Sequence, residues 1–192
     1  MGRWEPNARE RLERAALALF AEHGYDATTV AQIADRAGLT KSTFFRHFAD
    51  KREVLFGGPD TLADLFSDAI RTAPPAAAAI DCLAAAFQAV AAVAFTPDRH
   101  DLAAQRRAVI AANSELQERE LLKRARLASA MAEALRARGA DDMAARLAAE
   151  VGVLAFSTAY ARWAAPGNRQ PFTEIAYAAL RDLQARAATL SG

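Results

Sequence analysis

Cysteine and histidine are scarce in this chain: its 192 residues include one cysteine, Cys82, and three histidines, His23, His47 and His100. A lone cysteine excludes an intrachain disulfide and a cysteine-rich metal site. Three histidines so widely spaced form no metal cluster, so neither a metal nor a cofactor is expected. Glycine is sparse and builds no phosphate-cradling loop. G-x-S-x-G and H-E-x-x-H are also missing, so no residue is assigned a catalytic role. The longest apolar tract, Cys82 to Pro97, is mostly alanine and falls short of the ~20 residues a spanning helix needs, so no membrane partner is expected. An excess of one charge is lacking too. At a net charge of +1, any affinity for nucleic acid must come from a local patch. After Met1 the chain reads GRWEPNARERLERA, charged throughout and without the apolar stretch of a secretory signal. A reducing, cytoplasmic setting is expected.

What is present is helix. Alanine abounds, apolar residues recur at helical spacing, and β-alternation is missing. A hydrophobic content of 53% can bury a core in one or two small domains. The fold class expected is all-α. Asn7 and Glu10, with Pro6 just outside, read as a capping box that opens a first helix. Leu12, Ala16, Leu19 and Phe20 form its buried stripe, and Gly24 ends it. Thr29 and Gln32 form a second capping box before Val30, Ile33, Ala34 and Ala37. Gly38 closes that helix and Thr40 caps the next. A long helix, a short helix, a glycine-containing turn and another short helix spell the helix-turn-helix pattern.

Its second short helix lies in LTKSTFFRHFADK, Leu39 to Lys51, which holds three phenylalanines within five positions. At about 100° per residue the faces separate. Phe44 and Phe48 fall together and face a core. Lys41, Ser42, Phe45 and Arg46 occupy the opposite arc, with Thr43 and His47 at its flank. Hydroxyls, the amides at the helix start and Lys41 suit phosphates. The planar fork of Arg46 suits the O6/N7 edge of guanine.

The segment TTVAQIADRAGLTKSTFFRHFADKREVLF, Thr28 to Phe56, resembles the N-terminal DNA-binding domain of the TetR family of bacterial regulators. The resemblance is carried by Thr28, Thr29, Ile33, Ala34, Ala37, Gly38, Thr40, Thr43, Phe45, His47, Phe48 and Lys51, at ungapped spacing. It covers about the first quarter of the chain. It implies a DNA-binding domain over residues 1–50 and a ligand-binding and dimerisation domain over 51–192, built as a helical bundle. It also implies that Thr29, Thr40, Thr43, Phe45, His47 and Lys51 share the DNA surface with Lys41, Ser42 and Arg46. Two positions depart from the family pattern. Ser42 stands where glycine is frequent, and Phe45 stands where tyrosine is frequent, without the phenol that reaches a phosphate.

Asp50 and Glu53 predict the start of a fourth helix, which Gly57-Gly58-Pro59 interrupts. Further helices are predicted after Pro74-Pro75, with Leu83, Phe87, Val90 and Ala94 on one face, and over Leu102 to Ala112. A long charged helix runs from Ser114 to Gly139. The helix from Asp141 to about Ala165 is apolar on two sides, Leu147, Val151, Leu154 and Thr158 on one and Val153, Phe156, Tyr160 and Trp163 on the other. The last helix carries Phe172, Ile175, Ala179, Leu183 and Leu190. The resemblance implies that the final two helices pair with their twins in a homodimer. It also implies a small-molecule pocket, for which Phe87, Phe95, Met131, Phe156, Tyr160 and Trp163 are the candidate walls and Arg106 and Asn113 the polar anchors. The expected function is a repressor, not an enzyme. It would leave a near-palindromic double-stranded DNA operator when an unidentified small-molecule inducer binds. The alternatives are an all-helical enzyme and an interaction module without DNA binding.

Overall fold

The computed structural model describes residues 8–57 and 61–189. Ten α-helices occur among them, and no strand does. They are α1 (Ala8–His23), α2 (Val30–Arg36), α3 (Lys41–His47), α4 (Glu53–Phe56), α5 (Thr61–Thr72), α6 (Ala79–Ala94), α7 (His100–Ala111), α8 (Ser114–Ala137), α9 (Asp142–Trp163) and α10 (Phe172–Thr189). A single 3-10 turn, Pro97–Arg99, precedes α7. The Asn7 cap with Pro6, the Gly58-Pro59 pair and Leu190 lie outside the described residues. The chain forms two compact units, one of α1–α4 with residues 102–120 and one of residues 60–101 with 121–192.

The first unit is built by local signals that reinforce one another. Leu12, Ala16, Leu19 and Phe20 of α1 are all buried, as their spacing predicts. At the start of α2, Thr29 Oγ1 accepts from the Gln32 amide at 3.3 Å, and Gln32 Oε1 accepts from the Thr29 amide at 2.8 Å. Thr40 caps α3 by accepting from the Thr43 amide at 3.1 Å. Each such cap is worth about 1 kcal/mol. Between α2 and α3, Gly38 adopts φ +65°, a left-handed conformation costly for any residue with a Cβ. Arg11 of α1 donates to the Ala37 carbonyl at 2.6 Å. Its guanidinium also sits 2.9 Å from where a Gly38 Cβ would stand, so a side chain there would also displace this guanidinium. Phe44 and Phe48, 0% and 2% exposed, close the core with Ile33, Val54, Leu55, Val109 and Leu116.

The predicted break is present: α4 ends at Phe56, followed by Gly57 at φ +74°. Asp50 stands in the turn before α4, its Oδ1 accepting from the amides of Arg52 and Glu53 at 2.8 and 3.0 Å. Burial works against the charge on Asp50. The guanidinium of Arg52 and these amides nonetheless hold its carboxyl below the usual range. Glu53 is buried, and Arg119 donates to it through two nitrogens.

In the second unit α9 packs along α10 and both pack on α6, while α5 packs on α6. Phe66, Ile70, Leu83, Phe87, Met131, Leu135 and Phe172 are fully buried there. Arg138 terminates α5 by donating to the carbonyls of Arg71, Ala73 and Pro74, a favourable place for a cation. Asp141 caps α9, accepting from the Ala144 amide at 3.0 Å. The two apolar sides of α9 have different fates within the chain. Val153 and Trp163 are buried, whereas Met143, Leu147 and Leu154 are 72%, 64% and 53% exposed.

Gly152 is a tightly packed position in this unit. A Cβ there would meet Leu83 Cδ2 at 2.9 Å and the Met131 sulfur at 3.3 Å. Both neighbours are fully buried. Gly152→Val should therefore destabilise the protein by about 1–3 kcal/mol through overpacking. Gly152→Ala should cost less, because alanine recovers about 1 kcal/mol of helix propensity. Urea unfolding checks this, and an unchanged midpoint for the valine variant would mean that Leu83 and Met131 can yield.

Candidate nucleic-acid interface

Helix α3 has a buried side and a bare side. Phe44 anchors it, packing edge-on to Phe45 at 5.4 Å and tilted against Phe48 at 5.5 Å. On the opposite arc Lys41, Ser42, Phe45 and Arg46 are exposed, Phe45 by 56%. Thr43 and His47 are half-buried at the flank. Thr40 and Thr29 stand exposed at the starts of α3 and α2, each with its hydroxyl engaged in the cap. The arc expected from sequence is thus assembled on one surface.

Charge pairing sets this surface apart. Elsewhere in the first unit the cations of the described residues are engaged. Arg36 bonds Glu22 at 2.6 Å, and that hydrogen bond lowers the Glu22 carboxyl below its usual range. Arg52 joins Asp50 and Glu115, each at 2.9 Å. Arg9 joins Glu13, Arg14 joins Glu10 and Arg119 joins Glu53. Lys41 and Arg46 have no side-chain partner among the described residues. Two unneutralised cations beside hydroxyls and an exposed ring, on a rigid helix, can meet phosphates and a base edge.

Lys51 departs from this pattern. The sequence places it among the phosphate contacts, but its ammonium points into the unit. It donates to the carbonyls of Tyr25 at 2.7 Å and Thr28 at 2.9 Å, with Asp26 at 3.5 Å. It also lies 4.1 Å from the centre of the Tyr25 ring. Burial, reinforced by nearby carboxylates, pushes the Tyr25 phenol up to about 12. Sequence reading missed Tyr25, Thr28 and Arg11 as supports of the surface. Thr28 is buried and donates to the Gly24 carbonyl at 2.8 Å. The adjacency of Thr28 and Thr29 was the available signal, since neighbouring residues at a helix start face different ways.

The candidate pocket residues are divided between the two units. Phe87, Phe95, Met131, Phe156, Tyr160 and Trp163 belong to the second unit, Arg106 and Asn113 to the first. Arg106 donates to the Leu55 carbonyl and pairs with Glu120 at 3.5 Å. Asn113 donates to the Val109 carbonyl at 2.7 Å and borders a cleft of about 530 Å³ with Phe20, Tyr25 and Gln105. Both polar groups serve the first unit, because α7 supplies residues 102–111 to it. Met131 and Phe87 are fully buried core. Phe95 stacks on Phe172 at 3.9 Å and meets Phe156, Tyr160 and Trp163 at 5.8, 5.9 and 5.1 Å. His100, one of the scattered histidines, lies edge-on to Trp163 at 5.3 Å. Its buried Nε2 has no hydrogen-bond partner among the described residues.

A capped short helix, a glycine turn and a second helix with a bare cationic arc, all seated on α1, make the first unit a helix-turn-helix domain. Comparison with known proteins agrees. Residues 13–56 match the family model described as bacterial regulatory proteins, tetR family. The HTH-type transcriptional regulator TcmR of Streptomyces glaucescens is 39% identical over 82 residues, 43% of this chain and 36% of that protein. The HTH-type transcriptional repressor KstR2 of Mycobacterium tuberculosis is 52% identical over 46 residues, 24% of this chain and 22% of that protein. The matched segments thus span little more than a third of these relatives at most. A crystal structure of Thermus thermophilus FadR, a TetR family transcriptional repressor in complex with lauroyl-CoA, aligns with a TM-score of 0.52. The alignment is 25% identical over 90% of this chain and 91% of that one. Residues 13–56, the helix-turn-helix part of this chain, are thus similar to the DNA-binding domain of the tetR family of bacterial regulatory proteins.

The chemistry of the two exposed side chains predicts different tasks on DNA, base reading for the Arg46 fork and phosphate contact for Lys41. Arg46→Ala should cost ~1–3 kcal/mol on a specific site and relax base preference at one position. Lys41→Ala should weaken binding to all sequences alike and reduce the salt slope by about 1. Binding-site selection with each variant checks this, and uniform weakening by Arg46→Ala would assign it to phosphate instead.

Proposed function

We propose that the chain is a homodimeric, ligand-responsive transcriptional regulator of the cytoplasm, a repressor released from a near-palindromic operator by a small molecule. The observation that carries the proposal is the unneutralised pair Lys41 and Arg46 on the bare arc of α3, where the unit's other cations among the described residues are engaged. Thr29, Thr40, Ser42, Thr43, Phe45 and His47 complete the DNA surface. Two such helices, one from each protomer, would enter successive major grooves. The names of TcmR and KstR2 support regulation and repression. In function, residues 1–50 read DNA and residues 51–192 bind ligand and dimerise.

The lauroyl-CoA complex of the FadR neighbour supports a small-molecule effector. The aromatic set of the second unit, Phe95, Phe156, Tyr160 and Trp163, is where an apolar ligand would be held. No single helix among the described residues is long and apolar enough to cross a membrane. Retardation of DNA from upstream of the chain's own gene, declining steeply with salt, is the expected result. Protein that leaves all such DNA unretarded would reject the reading.

The second copy of the chain is proposed to cover the exposed stripe Met143, Leu147 and Leu154 of α9. Leu147 is 64% exposed in the single chain, so a charge there leaves the protomer fold intact. In a dimer seam that charge is buried without a partner, which costs about 3–5 kcal/mol. Leu147→Glu should therefore sediment as a monomer with unchanged helix content and bind DNA more weakly. A dimer as tight as wild type would place the seam elsewhere.

A further inference from the structure

Lys51 joins the two ends of the helix-turn-helix. Thr28 stands two residues before α2 and Lys51 four residues after α3. The ammonium donates to the Thr28 and Tyr25 carbonyls at 2.9 and 2.7 Å, with the Asp26 carbonyl at 3.5 Å. An ammonium has three donors, and three carbonyls converge on it. The Tyr25 ring takes the same cation from one side, 4.1 Å away. The Thr28 carbonyl belongs to the peptide that carries the Thr29 amide, and that amide is held by Gln32 at 2.8 Å. Thr28 itself ties the loop to the end of α1 through the carbonyls of Gly24 at 2.8 Å and Leu19 at 3.3 Å. The loop before α2 is thus gripped from α1 on one side and from Lys51, four residues past α3, on the other.

We propose that Lys51 is a positioning residue for DNA recognition: a latch that closes α2, the turn and α3 into a ring, acting through backbone geometry and not through contact with a phosphate. The proposal rests on the DNA-binding reading of α3. To meet a phosphate, the ammonium would have to give up its bonds to the Tyr25 and Thr28 carbonyls and its place beside the Tyr25 ring. With the latch open, the Thr28–Thr29 peptide and the start of α2 lose their tie to the end of α3. The arc of Lys41, Ser42 and Arg46 then loses its fixed angle to the cap at Thr29.

Charge and geometry can be separated with two variants and a labelled duplex of random sequence, which counts phosphate contacts through the salt slope. Lys51→Met removes both the charge and the latch. Lys51→Arg keeps a cation well suited to phosphate, but its planar fork does not reproduce three convergent bonds. Both should bind the duplex about tenfold more weakly at every salt concentration, with the wild-type slope. A methionine variant whose slope is shallower by about 0.9 for each lysine removed, or an arginine variant with wild-type affinity, would overturn the latch. Should both variants fail to fold, nitrogen-15 spectra of the unsubstituted protein decide. The Lys51 ammonium protons should exchange slowly and keep their shifts when the duplex is added, and a shift on saturation would overturn the proposal. Wild-type protein that ignores the duplex would reject DNA binding, while slow exchange in the free protein would still report the latch.

Discussion

The first unit depends on the burial of Phe44 and Phe48 against α1. A seven-residue helix such as α3 is too short to be stable alone, since nucleation costs more than its few hydrogen bonds return. Two buried phenyl groups, each worth several kcal/mol if deleted, hold it where the Thr40 cap starts it. Rotation of α3 about its axis is set by the same contact. With Phe44 locked under the helix, Lys41, Ser42, Phe45 and Arg46 have nowhere to point but outward. The exposed arc is therefore a by-product of a core decision.

Electrostatics completes what packing begins. Carboxylates at Glu10, Glu13, Glu22, Asp50 and Glu53 each take a nearby arginine. Exposed pairs of this kind add little stability. Their effect is to leave the positive potential of the unit concentrated on α3, in a chain whose net charge is only +1. A nearly neutral protein can thereby present a local cationic surface. Lys51 shows that a basic residue beside that surface need not belong to it, because backbone carbonyls compete for ammonium groups as well as phosphates do.

The second unit is organised by its aromatic contacts. Phe95 leaves α6 and stacks on Phe172 of α10, while Phe156, Tyr160 and Trp163 of α9 approach it edge-on or tilted. His100 comes to Trp163 through the 3-10 turn, Pro97–Arg99. Its buried Nε2 has no partner among the described residues, which makes it the least satisfied polar atom in this neighbourhood.

Much of this was legible in the sequence because the information is local. Caps at Thr29, Thr40 and Asp141, the glycine ends at 24, 38 and 139, and the phase of Phe44 and Phe48 all involve residues within a turn or two of each other. Backbone hydrogen bonding and helical phase act over that range, so helix order and the exposed arc of α3 follow from spacing. The fate of Lys51 and Arg106 did not. Each donates to a carbonyl, and a carbonyl carries no side-chain signature by which a sequence could announce it. Lys51 reaches back to Tyr25 and Thr28, and Arg106 to Leu55. Which arginine neutralises Glu53, and which lysine stays free for a ligand, was decided only when tertiary packing brought distant backbone and side chains within bonding distance.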